Sequence, residues 1–394
     1  MKQRRPEQTK EPVIAMLGSL PPLRALSSYC LEFSVAMANL TRVCFLSFQK
    51  IYPGFLYPGG MLQDDHTYPG VSHKRLRVRR FLTWYNPLTW LIEGFCTKAD
   101  LLHAQWWSLP LFMVYAVICI GFRLRNKPVV FTVHNVLPHE KSRLFTFVSG
   151  LLFLLGDHFI VHSIKNKQQL IRQYRIPPRK ITIIPHGPLD FHVSPKRTRE
   201  EARKQMNIKP DEKVILLFGA IRPYKGIDTA IEAFARVRQT IPDSRLVIAG
   251  KLWEDWSPYD RQIKAMNLKA HIHTVLNYIP SEMVSLYFMA ADLVLLPYHH
   301  FDSQSGVGAI AVSFRKPMIV TNIGGLPELV NDPRSIVPPK DDNALAQAII
   351  RALAEPGRLK AMENDADAVA EKISWTAIAK KVLSVYTKLL DKPI

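Results

Sequence analysis

The chain has 394 residues, enough for two or three domains at roughly 150 residues each, and its 47% hydrophobic and 22% charged content excludes a disordered chain. Its four cysteines (Cys30, Cys44, Cys96, Cys119) are scattered with no Cys-x-x-Cys pair. That argues against a zinc ribbon, a dithiol redox site or a disulfide scaffold and fits a reducing cytosol. The net charge of +19 is uneven: through His192 there are 24 lysines and arginines against 10 acids, whereas the rest of the chain has 28 against 23. A basic first half implies an anionic partner, whether nucleic acid, acidic lipid or a phosphorylated molecule. Met1 to Glu11 is polar rather than basic and then apolar, so no secretory signal is expected.

In chain order, Val13 to Leu17 reads as a first strand running into Gly18-Ser19. A loop with Pro21 and Pro22 follows, then a helix from Ser27 to Asn39 with Ser27 or Ser28 as its cap. Val43 to Leu46, Leu101 to His103, Val129 to Val133, His158 to Val161 and Ile181 to Ile184 read as further strands. Leu109 to Phe122 and Leu144 to Leu155 are almost wholly apolar. Both are shorter than the roughly 20 residues that span a bilayer. The first is expected as a buried helix flanking a sheet; for the second, burial and insertion into a membrane surface both stand.

A polar stretch from Ser194 to Lys209 separates a second series. Val214 to Phe218, Leu246 to Ala249, Leu293 to Leu296 and Met318 to Val320 are its strands, with a helix from Asp228 to Gln239. Short strands that are apolar throughout belong to sheets covered by helices on both faces. The expected architecture is therefore two doubly wound α/β domains, 1–193 and 194–374. In such sheets ligands sit beyond the carboxyl ends of the strands.

Three loops at strand ends in the second series carry the chemistry. Gly219 to Gly226 places Arg222 and Lys225 three apart, two cations suited to a pyrophosphate, although a strand-end arginine is often only a surface charge. Phe301 to Gly308 leads into a helix expected at Ala309 to Phe314, whose first amides form an anion site. Gly324-Gly325-Leu326-Pro327-Glu328 follows the next strand. Each glycine pair alone is compatible with simple turn chemistry; three such loops at successive strand ends are less so.

Ile184 to Gly187, Ile221 to Gly226, Ala291 to Tyr298 and Lys316 to Val330 together resemble the retaining GT-B glycosyltransferases of family 4 (glycosyl transferases group 1). The resemblance is strong from about Val129 to Val330 and weaker at both ends. It implies two Rossmann-like domains facing a cleft, with a closing helix in 375–394 crossing back to the first. It also implies that Arg222 and Lys225 bind the donor pyrophosphate, Arg222 replacing an arginine whose usual position holds Ala220. Ser305, Gly306 and Val307 would serve the distal phosphate, with Gly18 and Glu328 also on the donor side. Of two family glutamates eight residues apart, the first falls on Asp302, assigned a catalytic role, and the second on Ile310. His134, at the end of a strand, would sit beside the donor sugar; without that context a lone histidine reads as a structural residue. Glu140 would bind the acceptor or merely cap a helix.

The run from His73 to Arg80 holds five cations in eight residues, near Trp84, Tyr85, Trp90, Trp106 and Trp107. Against the plain reading of solvated charge, this points to an anionic membrane surface or a diphosphate-bearing acceptor. The leading expectation is a metal-independent hexosyltransferase with no cofactor beyond its donor, a nucleotide-diphosphate sugar. It would act with retention on a membrane-associated, lipid-linked glycan acceptor, as a peripheral protein of the cytoplasmic membrane face. The alternative is a sugar-nucleotide 2-epimerase of the same fold, whose chemistry needs carboxylates; Asp302, Glu328 and Glu140 are the few on offer. A nucleic-acid partner is not expected, since no recognition helix or RNA-binding aromatic motif accompanies the charge.

Overall fold

A computed structural model describes residues 11–23, 26–51, 72–136, 143–190, 197–301 and 305–391. The first sheet is built from β1 (Val13–Gly18), α1 (Ser27–Ala38), β2 (Arg42–Lys50), β3 (Leu76–Thr83), α2 (Pro87–Cys96), β4 (Leu101–Trp106), α3 (Phe112–Leu124), β5 (Val129–Val133), α4 (Arg143–Phe153), β6 (His158–Val161), α5 (Ile164–Tyr174) and β7 (Ile181–Ile183). Its seven strands are all parallel, in the order β3-β2-β1-β4-β5-β6-β7.

After α6 (Arg199–Gln205) come β8 (Lys213–Phe218), α7 (Ile227–Thr240), β9 (Ser244–Ala249), α8 (Ser257–Ala265), β10 (Ile272–Val275), α9 (Ser281–Ala290), β11 (Leu293–Leu296), α10 (Gly306–Ser313), β12 (Met318–Thr321), β13 (Ile336–Val337), α11 (Asp342–Ala354), α12 (Arg358–Lys372) and α13 (Trp375–Leu390). The second sheet is also parallel, in the order β10-β9-β8-β11-β12-β13. The strand order reverses between β1 and β4 in one sheet and between β8 and β11 in the other. Those are the points at which doubly wound sheets open a crevice at their carboxyl ends.

The central strands are buried on both faces, as their unbroken apolar runs require. The strands that sequence reasoning overlooked, β3, β10 and β13, are all sheet edges. An edge strand keeps one side in water and needs no apolar run, and β10 accordingly exposes His273 and Thr274. The basic run is thus largely β3. Its cations divide between surroundings: Arg79 Nε lies 3.0 Å from the buried carboxylate of Glu93 on α2, while Arg80 donates to the carbonyls of Leu20 and Pro21. The helix over Ser27–Ala38 starts with Leu26, not a serine, at its cap position, and no side chain caps it.

Helix α13 supplies an apolar face to the first domain. Trp375, Ile378, Ala379, Val382 and Tyr386 join Ile14, Met16, Tyr29 and Phe33 in one core. The Trp375 indole donates to the Pro188 carbonyl at 2.7 Å, and the Tyr386 hydroxyl meets His103 Nδ1 at 2.5 Å. The expected crossing-back helix is therefore a structural part of the first domain.

Candidate active site

In the second domain one lysine links two loops and the start of a helix. Lys225 sits in a 3-10 turn, Pro223–Lys225, directly after β8. It is almost wholly buried, and its ammonium donates to the Tyr298 hydroxyl at 2.5 Å. Tyr298, one residue beyond the Pro297 that ends the β11 run, shares a hydrogen bond of 3.0 Å with Ser305 Oγ. Ser305 in turn accepts from the Gly308 amide and caps α10, which starts at Gly306, three residues earlier than expected. The loops after β8 and β11 and the amino end of α10 are therefore held together through Lys225, Tyr298 and Ser305.

Glycines make this approach possible. Gly226 has φ +68°, and a Cβ on it would lie 1.9 Å from the Pro297 carbonyl oxygen. Gly219 has φ +98°, and a Cβ there would lie 2.7 Å from Val307 Cγ2 and 3.7 Å from Lys225 Nζ. Above Gly306, by contrast, a Cβ would meet nothing within 4 Å. The amides of Gly306 and Val307 in the first turn of α10, which have no hydrogen-bond partner among the described residues, thus lie beside a buried cation, which is the geometry of an anion site.

Arg222 is half-buried, with its guanidinium carbon 3.9 Å above the Trp253 ring. Stacking of this kind fixes the plane of the guanidinium while leaving its N–H edges free to bind. Glu328 is exposed on the turn Leu326–Leu329, whose Leu329 packs against Gly308. Ile310, where the family pattern has a glutamate, is a core residue and presents no polar group for a ribose. Asp302 and Glu140 lie outside the described residues.

Burial, and secondarily the charge of Arg222, push the Lys225 ammonium down from 10.5 to about 7. Its charge is therefore disfavoured until an anion arrives. A bound diphosphate favours the protonated form, so binding above pH 7 must take up a proton. At about pH 8, where a nucleoside diphosphate is fully ionised, calorimetry in two buffers of different ionisation enthalpy is expected to show this uptake. Lys225→Met should abolish it. Uptake of the same size in that variant would assign the proton to another group.

In the first domain, polar residues stand at the carboxyl ends of adjacent strands. His134, directly after β5, is buried, with Nε2 2.9 Å from Gln105 Oε1 and Nδ1 3.2 Å from His162 Nε2. His162, after β6, sets its Nδ1 2.9 Å from the Ile184 carbonyl. A carbonyl only accepts, so His162 carries its proton on Nδ1 and His134 donates from Nδ1. His134 Nε2 is then an acceptor. A half-turn of the Gln105 carboxamide turns its NH2 toward that nitrogen and gives the buried Gln105 Nε2, otherwise unpartnered, its hydrogen bond.

Burial holds His134 well below the ordinary histidine range, with the neighbouring imidazoles adding to the effect. It likewise pushes His162 to about 3 and His186 to about 4. The cluster is neutral at pH 7, packed around Tyr29, whose ring centroid is 4.7 Å from that of His134. Both ring nitrogens of His134 already have protein partners, so a sugar hydroxyl would have to displace Gln105. Gly18 ends β1 close to Cys30 and Gln105, and the next residue, Ser19, keeps a buried hydroxyl with no partner among the described residues. Sequence reasoning assigned no role to Gln105, His162, Trp253 or Tyr298.

Two parallel Rossmann-like sheets with loops gathered at their carboxyl ends define a GT-B architecture, and solved structures agree. Sucrose-phosphate synthase from Thermosynechococcus elongatus superposes with a TM-score of 0.69 at 20% identity, covering 96% of this chain and 99% of that one. Anabaena HepE, solved with UDP and glucose, gives 0.69 at 16% identity over 96% of this chain and all of its own. In sequence, residues 47–188 match Glycosyltransferase Family 4 and residues 198–369 match Glycosyl transferases group 1. The D-inositol 3-phosphate glycosyltransferase of Segniliparus rotundus is 28% identical over 312 residues, 74% of this chain and 67% of that protein. An uncharacterized glycosyltransferase of Methanocaldococcus jannaschii is also 28% identical, over 73% of this chain and 75% of its own. The chain belongs to the family 4 type of GT-B glycosyltransferases.

Proposed function

We propose that this glycosyltransferase moves a hexosyl unit from a nucleotide-diphosphate sugar to a membrane-associated, lipid-linked glycan acceptor, with retention at the anomeric carbon. The observation that carries the reading is the Lys225–Tyr298–Ser305 assembly beside the open first turn of α10. As the glycosidic bond breaks, negative charge grows on the diphosphate leaving group. Lys225, Arg222 and the amides of Gly306 and Val307 are cations and dipoles fixed in advance, the arrangement that stabilises such charge most. These groups allow the step to run without a metal.

The UDP bound in HepE and the glycosyltransferase relatives support a nucleotide-sugar donor. Four unpaired cysteines, three of them buried, fit action on the cytoplasmic side of a membrane. His134 would lie beside the sugar as a neutral ring, with Glu140 toward the acceptor, Asp302 beside the reacting sugar and Glu328 toward the donor.

A thermal-shift screen of uridine and guanosine diphosphate sugars tests the donor class. A ligand at 100 times its dissociation constant adds about 2.7 kcal/mol of stability. The stabilising sugar nucleotide is then incubated with and without a lipid-extracted acceptor, and the product linkage is read by NMR. Transfer only with acceptor and an unchanged anomeric configuration is the expected result. Conversion of the sugar nucleotide without acceptor would instead establish the 2-epimerase reading.

A further inference from the structure

Of the fifteen large apolar side chains that the described residues leave exposed, fourteen lie between Phe81 and Ile164, and only Tyr278 lies in the second domain. Ten of them are on three neighbouring helices. Helix α2 exposes Leu88, Leu91, Ile92 and Phe95; α3 exposes Met113, Ile120 and Leu124; α4 exposes Leu144, Phe147 and Leu151, and Leu154 follows directly. On α4 these positions are spaced three, four and three apart, a stripe along the outer face opposite buried Phe145, Ser149 and Leu152.

The three stripes form one surface. Helices α2 and α3 approach so closely that a Cβ on Gly121 would lie 2.6 Å from the Gly94 backbone, and α4 packs against α3. Glu93 is the only acid in the three helices, and it is buried against Arg79. No described helix is long and apolar enough to cross a membrane. Such a face is too apolar to rest in water and too short to span a bilayer.

At the carboxyl ends of α2 and α3 the surface meets an open basin of about 1440 Å³ along the amino-terminal edge of the first sheet. The basin lies across the sheet from the loops of the candidate active site. Ten lysines and arginines line it against two aspartates. Of these cations, Arg42, Lys74, Arg77, Lys98, Arg125 and Lys180 have no carboxylate partner among the described residues.

We propose that the outward faces of α2, α3 and α4 insert into an anionic lipid bilayer while the cations of this basin contact its headgroups. The occupant follows from charge complementarity: an acid-free apolar face rimmed at one end by unpaired cations matches acyl chains bordered by lipid phosphates. The proposal takes up the membrane-associated acceptor of the reading above and relocates its contact. The charge comes from the sheet edge as a whole, since Arg79 and Arg80 of the β3 run are engaged inside the protein. Both apolar segments contribute, each burying one face and exposing the other.

Co-sedimentation of the full chain with vesicles decides this. Vesicles of phosphatidylcholine alone are compared with vesicles holding about 30 mol% phosphatidylglycerol, at low salt and at about 150 mM salt. The wild-type protein is expected to pellet with the anionic vesicles only. Arg42→Glu/Lys98→Glu/Lys180→Glu should lower the bound fraction at least about fivefold, most strongly at low salt, where the lost attraction is least screened. Leu91→Gln/Phe147→Gln/Leu154→Gln should lower it comparably at either salt. Of the six substituted residues, Arg42, Lys98, Leu91, Phe147 and Leu154 are exposed and Lys180 is half-buried, and circular dichroism checks the folding of each variant. Equal binding to both vesicle types, no vesicle binding, or anionic binding that survives both triple variants would overturn the proposal, as would capture by polynucleotide with vesicles ignored. Stabilisation by a nucleoside diphosphate, measured in parallel, should be unchanged in both variants. Its absence in the wild type would count against the donor reading and leave the docking result standing.

Discussion

Lys225→Ala is expected to cut kcat/KM for the donor sharply while leaving thermal stability unchanged or raised. A charge-assisted hydrogen bond to a buried anion contributes about 1.5–3 kcal/mol, or roughly 10- to 150-fold in rate at sub-saturating donor. Stability should not follow, because the burial that pushes this ammonium down to about 7 is a cost to the empty protein. Its described contacts are a tyrosine hydroxyl and aromatic rings, with no carboxylate to offset that cost. The trade of stability for a prepared site is common where charge is held ready for a substrate. Arg222→Ala should lower donor use within the same range, since it removes the second cation and leaves Trp253 unstacked. Steady-state kinetics at low donor with a parallel melting curve provide the check. Wild-type turnover at sub-saturating donor in either variant would remove that residue from the pyrophosphate site.

His134→Ala is expected to act on the chemical step rather than on the nucleotide. We anticipate a fall in kcat on the order of 10²-fold, with nucleoside-diphosphate affinity nearly unchanged. The ring stands in the first domain, whereas the groups proposed to bind the phosphates stand in the second. The variant also leaves Gln105 and His162 without their shared partner, at about 1–3 kcal/mol of stability for the orphaned groups. The melting temperature should therefore fall, unlike that of Lys225→Ala. Because burial keeps His134 neutral at pH 7, no inflection in rate from this ring is expected between about pH 6 and 8. Equal losses of diphosphate affinity and turnover would make it a structural histidine.

How much of this was legible in the sequence depended on whether a residue's role is local. Unbroken apolar runs such as Val214 to Phe218 identify buried parallel strands, because covering both faces of a sheet leaves no position for a polar side chain. Turn chemistry at the ends of those runs marked Gly219, Gly226 and Gly306, and the cations between them, as candidates for an anion site before any geometry was known. The two-domain α/β architecture and the family resemblance rested on these local signals.

Tertiary structure decided what depends on neighbours far apart in the chain. Tyr298 reads as a buried aromatic until the fold sets its hydroxyl between Lys225, 73 residues earlier, and Ser305. His162 and Gln105 gain meaning only because β4, β5 and β6 pair side by side, bringing three strand ends into one hydrogen-bonded chain. The basic run from His73 to Arg80 looked like one patch, yet an edge strand sends alternate side chains to opposite faces, and Arg79 and Arg80 find partners there. In Leu144 to Leu155, composition alone left burial and membrane insertion equally open. The helix buries Phe145, Ser149 and Leu152 and turns Leu144, Phe147 and Leu151 outward. Which face of a wholly apolar helix meets the core is set by the sheet it packs on, since its own residues carry no polar stripe to choose.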